Sequence, residues 1–225
     1  REQQAFAPDK PFFMYWATGC AHGPHHIMKE WSDRYAGKFD DGWDAYRKRT
    51  YERAKRMGWI PQNAQLTPRP DNLASWDSIP ESEKPFQSRL MEVFAGFVEH
   101  ADHEAGRVID EIEAQGRLDN TIVFYIWGDN GSSAEGQRGT ISELLAQNSI
   151  PTTIDDHLRT LDELGGLEVL GTAKTDNMYH AGWAWAGSAP YKSTKLIGAQ
   201  ADSRGILLEC IVQILELQGL KLIWS

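Results

Sequence analysis

Thr121-Ile122-Val123-Phe124-Tyr125-Ile126-Trp127, followed at once by Gly128-Asp129-Asn130-Gly131, is the stretch that decides the fold class. Its first seven residues are apolar, β-branched or aromatic. They follow the turn signal Asp119-Asn120 and stop at a glycine-flanked polar pair, which predicts a strand buried on both faces. Upstream, residues 85–116 repeat at the helical period, with Phe86, Leu90, Val93, Phe94, Phe97, Ala101, Ala105, Val108, Ile109 and Ile112 along one stripe. Pro85 suits a first turn and Gly116 a stop. A helix this long running into an all-apolar strand predicts a layered α/β domain whose sheet the stripe covers.

Further out the pattern continues. Residues 11–17, PFFMYWA, form a second apolar run between Pro11 and Gly19 and predict another buried strand. Residues 43–57 read as a charged surface helix and 153–165 as a short amphipathic helix ending at Gly165-Gly166. Four prolines, Pro61, Pro68, Pro70 and Pro80, make 61–81 an extended connection. The aromatic-rich GWAWAG stretch at 182–187 reads as a loop.

Composition limits the function. The 225 residues are 41% hydrophobic, enough for one large domain or part of a bigger one. A net charge of −9 repels phosphate, which excludes general affinity for nucleic acid or anionic membrane. An anionic substrate would therefore need a local cluster of Lys, Arg or His. No apolar run is long and uncharged enough to span a bilayer. Cys20 and Cys210 leave a disulfide or two free thiols equally open, and nothing assigns a compartment.

Three stretches have the makings of a site. Asp129 and Asn130 follow a strand end, where ligands of open α/β sheets collect, and offer hard oxygens suited to calcium or magnesium. The same residues also suit a plain turn. Two residues supply too few oxygens for calcium, so further ligands are expected elsewhere. The loop CAHGPHHIMKEW at 20–31 holds His22, His25 and His26. A histidine there can bind an anion or protonate a leaving oxygen, or the loop is simply polar and exposed. In APYKSTK at 189–195, Lys192 and Lys195 are either solvated or placed to offset charge on a transferring group. No serine-hydrolase elbow or glycine-rich phosphate loop is present.

The order of these pieces carries more information than any one of them. PFF-x-Y, then Ala21-His22-Gly23-Pro24-His25-His26, GKFDDGWDAYR at 37–47, LTPRPDNLASWDS at 66–78, YIWGDNGSSAEG at 125–136 and APYKSTK together resemble the bacterial arylsulfatases, from about residue 10 to about 196. The resemblance implies an alkaline-phosphatase-like α/β sandwich with a mostly parallel central sheet, incomplete in this chain. Residues 1–197 would be the middle of a catalytic domain that hydrolyses small sulfate esters. It implies Asp129 and Asn130 as ligands of calcium, with magnesium possible. His22 would bind the sulfate or help the leaving oxygen, and Lys195 would contact the sulfate, with Lys192 near enough to compete. The family's nucleophile is a formylglycine made from a Cys- or Ser-x-Pro-x-Arg motif. That motif and an early pair of acidic ligands are absent from this sequence, so an upstream segment is expected to carry them. Residues 198–225 match nothing and read as a frame error or chimeric end. A phosphonate-monoester or phosphodiester hydrolase of the same superfamily, or a non-catalytic calcium-binding remnant, are the competing expectations.

Overall fold

The computed structural model describes residues 10–127, 132–192, 194 and 211–213. In chain order its elements are α1 (Lys29–Ser32), a 3₁₀ turn (Asp33–Tyr35), α2 (Gly42–Met57), a 3₁₀ turn (Trp76–Ser78) and α3 (Lys84–Ala114). There follow β1 (Tyr125–Trp127), α4 (Glu143–Gln147), α5 (Ile154–Leu164), α6 (Ala181–Gly187) and β2 (Ile211–Gln213), with 3₁₀ turns at Leu118–Asn120 and Leu167–Val169.

The long helix is where its period predicts, with proline in its first turn. Its surroundings differ from the single-stripe expectation. From Phe86 to Val93 every residue is buried, including Gln87, Ser88, Arg89 and Glu92, so the N-terminal half is enclosed on all sides. Gly96 marks the closest crossing: a Cβ there would lie 2.7 Å from the Ser32 backbone nitrogen, so only glycine admits α1. The buried charges Arg89 and Glu92 pair along the helix itself, and Arg89 also reaches across to Asp33. Arg89 binds Glu92 at 3.0 Å and Asp33 at 3.0 Å, and Glu92 also accepts the Gly37 N–H at 2.8 Å.

α2 corrects the expectation of a surface helix. Trp43, Arg47, Tyr51 and Ala54 recur at helical spacing and are all buried. The stop is as expected, with Gly58 left-handed at φ 74°. α5 is closed at its start by a reciprocal box in which the Thr153 hydroxyl accepts the Asp156 N–H and the Asp156 side chain accepts the Thr153 N–H. The GWAWAG stretch is helical, not a loop: α6 is capped by His180 Nδ1, which accepts the Gly182 N–H at 2.8 Å.

The core is an aromatic nest between α2, α3 and α6. Trp43 meets Trp76 edge-on with ring centres 4.9 Å apart, meets Trp183 edge-on at 5.7 Å, and stacks flat on His180 at 4.3 Å. Trp76, Trp183 and Trp185 all pack inward and are buried.

The strand expectations are met only in part: the 121–127 run is not buried on both faces, since Ile122, Phe124 and Ile126 are 78%, 64% and 62% exposed. β1 is confined to three residues and pairs antiparallel with β2, Tyr125 opposite Gln213 and Trp127 opposite Ile211. Residues 11–17 form no strand, and Phe13 and Tyr15 are 91% and 83% exposed. A strand requires a neighbouring backbone to satisfy its ladder, and among the described residues none lies beside this run. A mostly parallel central sheet is not among the described residues. Likewise among these, no helix is long and apolar enough to cross a membrane.

Candidate functional site

The three histidines of the 20–31 loop take three different environments. His22 is exposed, with Nδ1 2.8 Å from the Gly23 carbonyl oxygen. His26 is half exposed, with Nε2 2.6 Å from the Thr175 carbonyl and 3.5 Å from the Asp176 carboxylate. His25 is buried against Phe94 and Tyr179, each with its ring centre 5.0 Å away, and its Nδ1 has no hydrogen-bond partner. Burial, reinforced by the two neighbouring histidines, pushes His25 down to about 3. It is therefore a neutral core residue at physiological pH, not part of a polar loop.

That burial has a measurable consequence. His25 remains neutral when folded but takes up a proton near its ordinary value when unfolded. Its contribution to stability is therefore complete above about pH 6.5 and lost progressively as pH falls toward 3. Between pH 7 and 5 the loss is about 2 kcal/mol from this residue. Unfolding in urea at the two pH values is expected to show a pH-dependent loss about 2 kcal/mol smaller in His25→Phe than in the parent. An unchanged pH dependence would contradict the assignment.

The loop is anchored at two points to a downstream segment, residues 171–188. The His25 N–H donates to the Asn177 carbonyl at 3.1 Å and the Ile27 N–H to the Gly171 carbonyl at 2.9 Å. Gly23 sits so close that a Cβ would lie 2.9 Å from the Met178 methyl group. Asn177, wholly buried, fixes the segment's own turn, its Oδ1 accepting from the Gly171 N–H at 2.7 Å and the Thr175 hydroxyl at 2.9 Å.

The stretch that follows Asp129 and Asn130 rests on the same segment. Gly136 is pressed against it, since a Cβ there would lie 2.1 Å from the Tyr179 carbonyl oxygen. Thr140 and Met178 exchange backbone hydrogen bonds at 3.0 Å each, and the Ala181 N–H donates to the Gln137 carbonyl at 2.8 Å. The Ser132 side chain is bonded to Tyr179, and the Ser132 N–H approaches the Ser188 hydroxyl at 3.4 Å. Ser188 is the residue that ends α6 and begins the run to the lysines.

Lys192 is exposed at the end of that run, and Thr194 beyond it is buried. Asp129, Asn130 and Lys195 lie outside the described residues. Among the described residues no three His, Cys, Asp or Glu side chains are grouped to hold a metal ion. The chemistry of Asp129 with Asn130, one carboxylate and one amide oxygen, fits a hard cation such as calcium. Two such residues fill only part of its shell.

A cavity of about 220 Å³ opens beside the same segment, lined in part by Gly136, Arg138, Thr140, Thr152 and His157. His157 Nε2 is 3.1 Å from the Thr152 hydroxyl oxygen, and of the quoted motifs only the last residue of YIWGDNGSSAEG, Gly136, enters the lining. Cys20 is half-buried and its thiol is pushed up to about 11, so it is a protonated, poor nucleophile near neutral pH.

Sequence reasoning did not single out the 171–188 segment, or Arg47 within the GWDAYR motif, as structural keys to this arrangement. The signal for Arg47 was its place among the apolar positions of α2. For Asn177 and Tyr179 there was none: Tyr179 packs on segments far away in sequence, and the turn that Asn177 ties to Gly171 and Thr175 follows no motif.

Comparison with known proteins gives the family. Residues 2–184 match the family described as Sulfatase. An uncharacterized sulfatase of Schizosaccharomyces pombe is 34% identical over 187 residues, covering 82% of this chain and 31% of that protein. An arylsulfatase of Klebsiella aerogenes is 24% identical over 134 residues, covering 59% of this chain and 28% of that one. The chain thus spans less than a third of the length of these relatives.

Proposed function

Because this chain belongs to the sulfatase family, whose domain implies an alkaline-phosphatase-like α/β fold, we propose that it supplies one part of a sulfate-ester hydrolase site. The observation that supports this most is convergence on one segment. The histidine loop, the stretch after Asp129-Asn130 and the start of the lysine run are all fastened to residues 171–188. Three separate motifs with the right chemistry share one platform.

In this reading His22 donates a hydrogen bond to the sulfate or a proton to the leaving oxygen. Its exposure leaves the ring accessible to do so. Lys195 holds the sulfate's negative charge, with Lys192 as the neighbouring cation. A preorganised donor of this kind contributes on the order of 3–4 kcal/mol to the transition state. Asp129 and Asn130 would hold calcium, or magnesium in its place. The ion supplies Lewis-acid stabilisation of the transferring group. The nucleophile, a formylglycine in this family, comes from outside this sequence.

The substrate assignment is tested by the full-length protein that contains this chain, assayed in parallel with an aryl sulfate, an aryl phosphate and a phosphonate monoester. The expected result is a higher kcat/KM for the sulfate than for either competitor. A preference for the phosphonate or phosphate would transfer the chain to a sister hydrolase. Absence of turnover on all three would favour a non-catalytic role.

A further inference from the structure

Arg47 is buried to 1% exposure in the middle of α2, yet among the described residues no carboxylate pairs with it. Its guanidinium is held by backbone oxygens instead. Nη1 donates to the Trp185 carbonyl at 2.6 Å. Nη2 donates to the carbonyls of Tyr191 at 2.7 Å and Pro190 at 3.2 Å, and to the Thr67 hydroxyl at 2.9 Å. The plane lies over the Trp185 ring at 4.2 Å. Burial alone lowers its pKa to about 10, which leaves it charged at neutral pH.

A buried cation without a carboxylate is a costly way to fill a core, and an apolar side chain of similar volume would often serve stability as well. What an apolar residue would not do is hold these carbonyls. Trp185 is in α6, and Pro190 and Tyr191 directly precede Lys192. Thr67 closes the same knot, its hydroxyl donating to the Pro190 carbonyl at 2.9 Å. One planar fork therefore fixes the backbone from the end of α6 to the residue before the lysines.

We propose that Arg47 is a positioning residue for the anion-binding lysines: it fixes the backbone at Pro190 and Tyr191, directly before Lys192, from which Lys195 follows in the chain. This rests on the sulfatase reading above. The two Nη groups of arginine's planar fork reach all of these acceptors at once, with Nε left unpartnered among the described residues, whereas a lysine ammonium at the same place cannot reach Trp185, Thr67 and Tyr191 together. Misplacement of a binding group by about 1 Å costs up to roughly 100-fold in rate.

The test is a double-mutant cycle in the full-length protein, with Arg47→Lys combined with Lys195→Ala and, separately, with Lys192→Ala. Arg47→Lys alone is expected to lower kcat for an aryl sulfate roughly 10- to 100-fold. That loss should largely vanish in the background of the lysine through which Arg47 acts. Full additivity with both lysine variants would overturn the proposal, since general damage multiplies through any background. Thr67→Val serves as a milder variant should Arg47→Lys fail to fold. It is expected to give a smaller loss with the same non-additivity, and additivity there would overturn the proposal equally. A parent protein without sulfate-ester turnover would instead refute the sulfatase reading. In that case, hydrogen exchange of residues 185–192 still decides whether Arg47 holds the run: selective loss of protection in Arg47→Lys supports it, and unchanged protection overturns it.

Discussion

Trp43→Ala is expected to destabilise the full-length protein by about 3–5 kcal/mol, the range for deleting a fully buried large aromatic. Trp43 has no exposed surface and sits where three elements meet. It touches Trp76 and Trp183 edge-on and stacks on His180, the residue that caps α6. Its indole N–H donates to the Ala74 carbonyl at 3.1 Å, an acceptor that alanine leaves unpaired. The surrounding backbone is already shaped to the indole. A Cβ on Gly182 would lie 2.4 Å from its ring, and a Cβ on Gly42 would lie 2.0 Å from the Trp76 ring. Such a site cannot collapse readily, which places the cost high in the range. Urea unfolding measures it directly. A loss under about 1 kcal/mol would mean that the nest is not the stabilising centre of this part of the fold.

The consequence extends to function. Trp43 and Arg47 are one turn apart on α2, and both grip α6, the first through His180 and Trp183 and the second through Trp185. Packing and site geometry share one helix pair. That is why the motif GKFDDGWDAYR carries so much of the family resemblance without containing a residue assigned to chemistry.

What the sequence showed, and what it concealed, follows from the range of the forces involved. The 31-residue α3 was readable because its period, Pro85 and Gly116 are local signals. The box at Thr153 and Asp156 is equally local. α6 was missed because Gly182–Ala186 are all buried, so no polar face marks a helical period. α2 was taken for a surface helix because Arg47 counts as polar in any pattern, and only distant carbonyls make its burial tolerable. Among the three histidines, nothing nearby distinguishes the buried His25. Its pocket comes from Phe94 and Tyr179, far along the chain. Residues 11–17 have the composition of a strand, but strand formation depends on neighbours that no local pattern specifies. For the site, the sequence offers candidate residues and their order along the chain. The platform at 171–188 was not legible, because it is defined by backbone contacts that carry no sequence signature.

In the proposed function Asp129 and Asn130 belong to a metal-supported sulfate-ester site with His22 and Lys195. The second large effect follows from it. Removing the Asp129 carboxylate takes away the only anionic ligand this chain is proposed to give the ion, and with it the charge compensation the ion brings to the transferring group. The measurement is bound calcium together with kcat/KM for an aryl sulfate, on the full-length protein and on its Asp129→Ala variant. The account predicts that the variant loses its calcium and at least roughly 100- to 1,000-fold in kcat/KM. A variant that keeps both its calcium and its rate would contradict it.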